Sequence, residues 1–379
     1  MAIFFKSKVH PKFKSDKNKP IIALGSMSGT SLDGLDLCLV SFTPPITIKS
    51  KWRFSILASS CIPYKNTRWA SDLPKAYTAV DNDLSKISKD YAIWISLMAS
   101  QFLKSMPRST PKAEAFCSHG HTVRHEPQKG VSIQIGNTYE LTTHLDIPIV
   151  CDFRINDIRR GGQGAPLVPL ADMFLFSNHS TCLNLGGFSN ASWSKKGVRL
   201  AADLGPCNII SNELMSKIGK SYDNKGEMAS AGVVNIKIFE SLKHLPYYSL
   251  PLPKSLSREW AVANIYEKIF NIPKIEDAVA TSTEHSAWAI GHGLKKNINK
   301  NIFLSGGGVW NTYLVDRIKF YTKKTIEIPE KQIVEQKESL SFAFLGIKRL
   351  RGEINVLSSV TGSKEDGCDG TVFEKTFQV

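Results

Sequence analysis

Residues Gly25 to Asp36 read Gly-Ser-Met-Ser-Gly-Thr-Ser-Leu-Asp-Gly-Leu-Asp, between two strand-like apolar segments, Ile21 to Leu24 and Leu37 to Phe42. The chain has to turn within this run. Gly, Ser and Thr there present backbone N–H groups and hydroxyls with little side-chain bulk, a surface suited to phosphate oxygens. Asp33 and Asp36 are placed to hold a metal ion or a substrate hydroxyl. A plain Gly/Ser hairpin turn explains the same composition, and the residues alone leave both readings open.

The chain has 379 residues, more than one hydrophobic core usually serves, so two domains are expected. Its longest apolar stretch, Ala92 to Leu103, is interrupted by Ser96, Ser100 and Gln101, so no membrane-spanning segment is expected. The amino terminus carries a short apolar patch, Ile3 to Phe5, followed by lysines, the reverse of a secretory signal. A cytoplasmic protein is expected. Seven cysteines without a Cys-x-x-Cys pair argue against both a disulfide framework and a zinc site.

The net charge of +14 raises the question of nucleic acid. Residues 1 to 20 hold six lysines and one acid, and removing them leaves 42 basic and 33 acidic residues spread along the chain. No basic helix interleaved with aromatics and no nucleic-acid motif occurs. A basic surface that attracts small anionic ligands is the better reading, with no nucleic-acid or membrane partner. Residues 1–19 read as a basic, disordered extension, whose deletion is expected to leave activity nearly unaffected.

Ile21 to Ser26, Leu35 to Phe42 and Trp52 to Cys61 read as strands. Apolar residues recur at helical spacing from Asp83 to Leu103, and short strands follow at Ala115 to Ser118, Val131 to Ile135 and Ile147 to Cys151. A helix is expected over Ala165 to Phe176. A second strand series, Thr181 to Leu185, Ser189 to Trp193 and Val198 to Ala202, precedes a helix from Asn208. Later come a helix over Glu284 to Leu294, a strand Asn301 to Leu304, a helix after Asn311, and a closing helix marked by Leu340, Phe344, Ile347 and Leu350. The pattern is α/β.

None of the glycine segments is a common nucleotide fingerprint. Gly25 to Gly34 lacks the Lys of a Walker loop, and Gly306-Gly307-Gly308 lacks Rossmann spacing. Asn184-Leu185-Gly186-Gly187 lies between two strands, as the first run does, and reads either as a second phosphate loop or as a Gly-Gly hairpin. Ser305 to Asn311 follows a strand and opens a helix, where bare backbone admits a flat ring; a tight strand-to-helix turn is the alternative. Asp152 follows a strand ending at Cys151, a position suited to a general base, although a lone Asp at a strand end is more often a helix cap or ion-pair partner, and Arg154 or Arg159 is placed to steady negative charge.

Met27 to Gly34, Met-Ser-Gly-Thr-Ser-Leu-Asp-Gly, resembles the amino-terminal signature of the anhydro-N-acetylmuramic acid kinases, sugar kinases of the hexokinase/actin/Hsp70 superfamily. Asp152-Phe153-Arg154, Asp157 and Gly161-Gly162-Gln163-Gly164-Ala165-Pro166 resemble a second family motif, and the likeness runs over roughly residues 20 to 375. The resemblance implies a duplicated actin/hexokinase-like (ribonuclease H-like) two-lobed α/β fold with an interdomain ATP and sugar cleft. Residues 20–165 with 340–379 would form one lobe, and 166–339 the nucleotide-binding lobe. It implies ATP and Mg²⁺ as cofactors, an anhydrosugar substrate, and a role in cell-wall murein recycling. A homodimer is left open. Asp152 becomes the base. ATP contacts fall on Gly29, Thr30, Ser31, Leu32, Asp33, Gly34, Leu35, Asp36, Asn184, Gly186, Gly187, Gly306, Gly307, Gly308 and Asn311. Substrate contacts fall on His119, His121, Arg154, Gln163, Asp203 and Glu338, while the metal ligands stay unassigned.

This sequence departs from the family pattern in places. His121 stands for Gln in the family's His-Gly-Gln-Thr-Val, and Leu204 and Cys207 replace Thr and Gly around Asp203. A kinase for another anhydrosugar such as levoglucosan, or a nucleotide-binding regulator without small-molecule chemistry, are the alternatives. The phosphate-loop reading predicts that Gly29→Val abolishes ATP binding while the protein stays folded, because methyl groups then stand where phosphate oxygens approach. Equilibrium ATP titration with a melting curve checks it, and unchanged affinity refutes the loop assignment.

Overall fold

The structure is a computed structural model and describes residues 9–14, 18–29, 32–47, 50–295 and 301–375. The chain divides into two compact units, residues 1–175 with 336–379 and residues 176–335.

The first unit is built on β1 (Ile21–Ser28), β2 (Gly34–Thr43), β3 (Arg53–Pro63), β4 (Ala115–Glu126), β5 (Val131–Ile135), β6 (Ile149–Cys151) and β12 (Thr371–Phe373). β1, β2 and β3 form an antiparallel meander, β4 joins β1 in parallel, and β6 joins β4 in parallel. β12 closes the edge beyond β6, and β5 folds back on the distal half of β4. In the second unit β7 (Thr181–Leu185), β8 (Phe188–Lys195) and β9 (Val198–Pro206) form another antiparallel meander. β10 (Asn301–Ser305) joins β7 in parallel, and β11 (Thr325–Glu327) joins β10. The order β3-β2-β1-β4-β6 of one sheet is therefore repeated as β9-β8-β7-β10-β11 in the other. This repeat is the duplicated actin/hexokinase-like arrangement.

The main helices are α1 (Trp69–Ala76), α2 (Asp81–Lys104), α3 (Val168–Leu175), α4 (Asn208–Ser216), α5 (Ile275–Leu294), α6 (Thr312–Thr322) and α7 (Lys331–Leu350). Alternation along β2 places Leu35, Leu37 and Leu39 on one face, and the 3.6-residue period of α2 places Leu84, Tyr91, Ile95 and Phe102 in the same core. On the other face α7 lies against β1. A Cβ on Gly25 would overlap the Ser339 carbonyl, so Gly25 is what lets the helix approach so closely. Its place at the head of the glycine-rich run is thus set by helix packing.

Two elements start earlier than their periodicity indicates. α5 begins at Ile275 because its first half is buried nearly all round, at Ala278, Val279, Ala280 and Thr281, and shows no polar face. α7 begins at Lys331 on a polar turn. No helix among the described residues is long and apolar enough to cross a membrane.

Residues 9–14 differ from the disordered extension that composition indicates. His10 and Phe13 are buried, the His10 N–H donates to the Leu350 carbonyl at 2.8 Å, and His10 Nε2 lies 2.8 Å from Glu374 Oε1. The lysines dominate the composition of this segment, whereas a single His and Phe do the packing. Deletion through residue 14 should therefore destabilise the first unit. Phe13→Ala should cost roughly 3 kcal/mol, the lower end for a buried Phe, read as a lower unfolding midpoint; an unchanged midpoint would contradict this packing.

Candidate active site

β1 ends at Ser28 and β6 at Cys151 on either side of β4, which runs on to Glu126, and this brings Ser28, His121 and Asp152 to one end of the first sheet. Open α/β sheets bind ligands beyond such carboxyl ends. β1 runs to Ser28 and β2 starts at Gly34, so the turn is Gly29 to Asp33, shorter than the glycine-rich run. Within it the Leu32 N–H donates to the Gly29 carbonyl at 3.2 Å, and Leu32 holds a left-handed φ of 60°, uncommon for a bulky side chain. Thr30 and Ser31 lie outside the described residues. Gly34, Leu35 and Asp36 belong to the sheet: Leu35 pairs with Ser28 and Ile62 and buries its side chain in the core. Asp33 is exposed at the turn.

Asp152 is the first residue after β6 and has a φ of 53°. Non-glycine residues in this region cost of order 1–3 kcal/mol and cluster at functional sites. Its carboxylate makes no hydrogen bond to another described residue. Burial pushes its pKa up to about 6, against the pull of Arg159 and with the help of Asp369. A carboxylate so poised is ionised at neutral pH and still basic enough to take a proton.

The loop after Asp152 is held by Asp157. Its fully buried carboxylate accepts from the Gly164 N–H at 2.7 Å and from the Thr361 hydroxyl at 2.8 Å. A Cβ on Gly162 would overlap the Asp157 carboxylate, which accounts for the glycine. The Gln163 N–H donates to the Thr361 carbonyl at 2.9 Å, leaving the Gln163 side chain exposed. Arg154 secures the other side, donating to the Gly164 carbonyl at 2.7 Å and to His119 Nε2 at 2.9 and 3.1 Å.

Both histidines are engaged by protein. Burial, and then the Arg154 charge, push His119 well below the ordinary imidazole range. Neutral His119 accepts from Arg154 at Nε2 and donates from Nδ1 to the Gly120 carbonyl at 3.0 Å. His121 lies 2.9 Å from Ser28 Oγ at Nδ1 and 3.1 Å from the Tyr77 hydroxyl at Nε2.

Glu338 on α7 reaches solvent, yet protein crowds its flanks, and this desolvation raises its pKa. Lys337 and Arg154 oppose the shift and Asp36 adds to it, so Asp36 and Glu338 sense one another across this end of the sheet. No group of three His, Cys, Asp or Glu among the described residues could hold a metal ion.

In the second unit β7 and β10 end together, with Asn184 paired to Ser305. This register joins the two remaining glycine segments. Gly186 and Gly187 form the β7–β8 turn, and a Cβ on Gly307 would meet nothing within 4 Å. A Cβ on Gly306 or Gly308, by contrast, would strike Asn184, Leu185 or Asn208. Packing therefore explains Gly306 and Gly308 and leaves Gly307 and the Gly186-Gly187 turn as bare, approachable backbone. Asn311 caps α6 by accepting from the Leu314 N–H at 2.9 Å. Asp203 accepts from the Leu256 N–H at 2.8 Å, and burial lifts its carboxyl to about 6.

The profile of the anhydro-N-acetylmuramic acid kinase family matches residues 21–375. The chain belongs to this family. It is 33% identical over 366 residues to the anhydro-N-acetylmuramic acid kinase of Pseudomonas savastanoi pv. phaseolicola, covering 92% of this chain and 98% of that one. It is 31% identical over 385 residues to the namesake from Saccharophagus degradans, covering 94% and 99%. Among solved structures, the activator of 2-hydroxyisocaproyl-CoA dehydratase from Clostridium difficile with bound ADPNP aligns over 87% of this chain and 96% of its own. It does so at 12% identity with a TM-score of 0.43.

Sequence reasoning missed the partners that hold this family member's site in place. Asp157 belongs to a motif that gives it no role, and its link to Thr361 spans 204 positions that no local pattern encodes. Tyr77 carries no signal beyond its position after a short helix. Thr361→Val should leave the Asp157 carboxylate one donor short and cost about 1–3 kcal/mol, the usual cost of an unsatisfied buried polar group. A denaturation midpoint equal to wild type would remove Asp157 and Thr361 as the clamp.

Proposed function

We propose that this chain transfers the γ-phosphoryl group of ATP to 1,6-anhydro-N-acetylmuramic acid while opening its anhydro bridge, yielding N-acetylmuramic acid 6-phosphate and ADP. The observation that carries the reading is Asp152: a desolvated carboxylate with no described hydrogen-bond partner, at the end of β6 in a strained backbone, in a chain of this kinase family. The substrate's O6 is tied to C1, so it has no hydroxyl to phosphorylate until the bridge opens. Asp152 takes a proton from water as the water oxygen bonds to C1. The C1–O6 bond breaks, O6 bonds to the γ-phosphorus, and the bond to the ADP oxygen breaks.

The remaining residues bind and orient. Gly29 to Asp33 offers backbone N–H groups to phosphate, and the Gly186-Gly187 turn and Gly307 offer bare backbone to the nucleotide. Asp36 and Glu338 are the carboxylates that would help hold Mg²⁺, which neutralises phosphate charge when bound. Gln163, on the clamped loop, has its side chain free for a sugar hydroxyl, and Arg154 supplies buried positive charge beside it. The biological setting we infer is murein recycling in a bacterial cytoplasm.

ATP consumption across a panel of anhydrosugars tests the substrate. Turnover with 1,6-anhydro-N-acetylmuramic acid and little with levoglucosan is expected; the opposite ranking refutes the assignment. Asp152→Asn tests the base, since Asn tolerates the left-handed backbone. Turnover should fall roughly 10²–10⁴-fold, the usual range for a lost general base, with ATP affinity retained. Stability should move the other way. The folded pKa of Asp152 is raised, so its contribution is fully present below the unfolded value and lost as pH rises through about 6. Above that pH the Asn variant should melt higher than wild type, with the gap closing as pH falls; near wild-type turnover would remove Asp152 from the mechanism.

A further inference from the structure

We infer that His121 is a positioning residue for the phosphate loop: it fixes Ser28, the last residue of β1, and so sets where Gly29 leaves the strand. This rests on the reading of Gly29 to Asp33 as a phosphate loop. Ser28 and His121 face each other on paired parallel strands, at a point where the register shifts by a bulge between Ser26 and Ser28. Pairing with β2 runs unbroken to Ser28 opposite Leu35, whereas pairing with β4 is interrupted, so on the β4 side the end of β1 is defined by side chains.

A chain of hydrogen bonds does so. The Tyr64 hydroxyl donates to Ser28 Oγ at 2.7 Å and lies 2.6 Å from the Tyr91 hydroxyl. Since Tyr64 donates to Ser28, its own oxygen is left to accept from Tyr91. Tyr91 is fully buried and stacked on Trp94, and Trp69 meets it edge-on with ring centroids 4.7 Å apart, so this end of the chain is rigid. The proton of Ser28 is then available to His121 Nδ1, and Nε2–H is left to donate to Tyr77. Counting protons in this way assigns the tautomer. Tyr77 keeps the ring neutral at Nδ1 and oriented, as a partner on the far nitrogen commonly does.

The other groups around the ring keep it uncharged. Burial lowers its pKa to about 4, partly opposed by Ser28. With both nitrogens engaged by protein, His121 has no donor or acceptor left for a sugar hydroxyl. Its effect must reach the reaction through Ser28.

Amide side chains separate the two ends of the imidazole. Asn at 121 keeps an acceptor near the Nδ1 position, facing Ser28; Gln keeps a donor near the Nε2 position, facing Tyr77. If the Ser28 link matters, His121→Asn should bind ATP within about twofold of wild type. His121→Gln and Ser28→Ala should weaken ATP binding by up to roughly tenfold, the value of one hydrogen bond. Turnover at saturating ATP should change much less than the KM for ATP. Equilibrium ATP titration of each full-length variant reads this, with thermal melting confirming the fold. Equal ATP affinity in the Asn and Gln variants, or wild-type affinity in Ser28→Ala, overturns the inference. ATP affinity unchanged in Gly29→Val overturns the phosphate-loop reading itself and this inference with it, so the two failures are told apart.

Discussion

A carboxylate cannot be withdrawn from water for nothing, and the first unit is organised around one that is. Asp152 stands where β6 ends, partly buried, in a left-handed backbone and with no described group donating to its carboxylate. Desolvation raises its proton affinity; the strained φ aims it away from the strand line. Both are unfavourable in isolation, so the surroundings must over-determine the geometry. Asp157, Thr361 and Arg154 fix the backbone from Gly162 to Gly164 at the far end of the loop that Asp152 opens. The two aspartates five residues apart thus have opposite roles, one left without donors and the other saturated by them.

The duplicated sheet accounts for the location of the rest. Three strands of each sheet form a meander and the following strands join in parallel, so β1 and β6 in the first unit, and β7 and β10 in the second, bring their carboxyl ends to one end of the sheet. In the first unit this end carries the Gly29 turn, His121 and Asp152. In the second it carries the Gly186-Gly187 turn and the Gly306 to Gly308 segment. Glycine has different causes within each set. Gly25, Gly162, Gly306 and Gly308 are small because protein atoms occupy the space a Cβ would need, whereas Gly307 faces open space. Only the latter kind argues for a ligand close to the backbone.

Much of this was legible in the sequence because it is local. The alternation of Leu35, Leu37 and Leu39 and the helical spacing of α2 give their elements directly, and the glycine motifs mark the turns. The motif from Met27 to Gly34 is less informative about its own structure: its last residue already lies in β2, because Gly34 pairs with Pro63, next to the Leu35 that pairs with Ser28, and this extends the strand into a glycine-rich stretch. The buried first half of α5 hides its helical period. Phe13 is masked by neighbouring lysines. The φ of Asp152, the Asp157–Thr361 bond and the Ser28–His121–Tyr77 chain depend on contacts distant in sequence, and no spacing rule announces them.

The account rests on Asp152 acting as a base with a proton affinity set by burial, and the pH dependence of kcat/KM for the anhydrosugar tests this most directly. The rate should fall about tenfold per pH unit below an apparent pKa near 6, as expected for one essential ionised carboxylate. His121 and His125, both lowered to about 4 by burial, should not contribute to that limb. Asp203, also lifted to about 6, is a competing source, and Asp203→Asn should leave the limb in place. A flat profile between pH 5 and 7, or a limb that disappears with Asp203→Asn, would contradict the account.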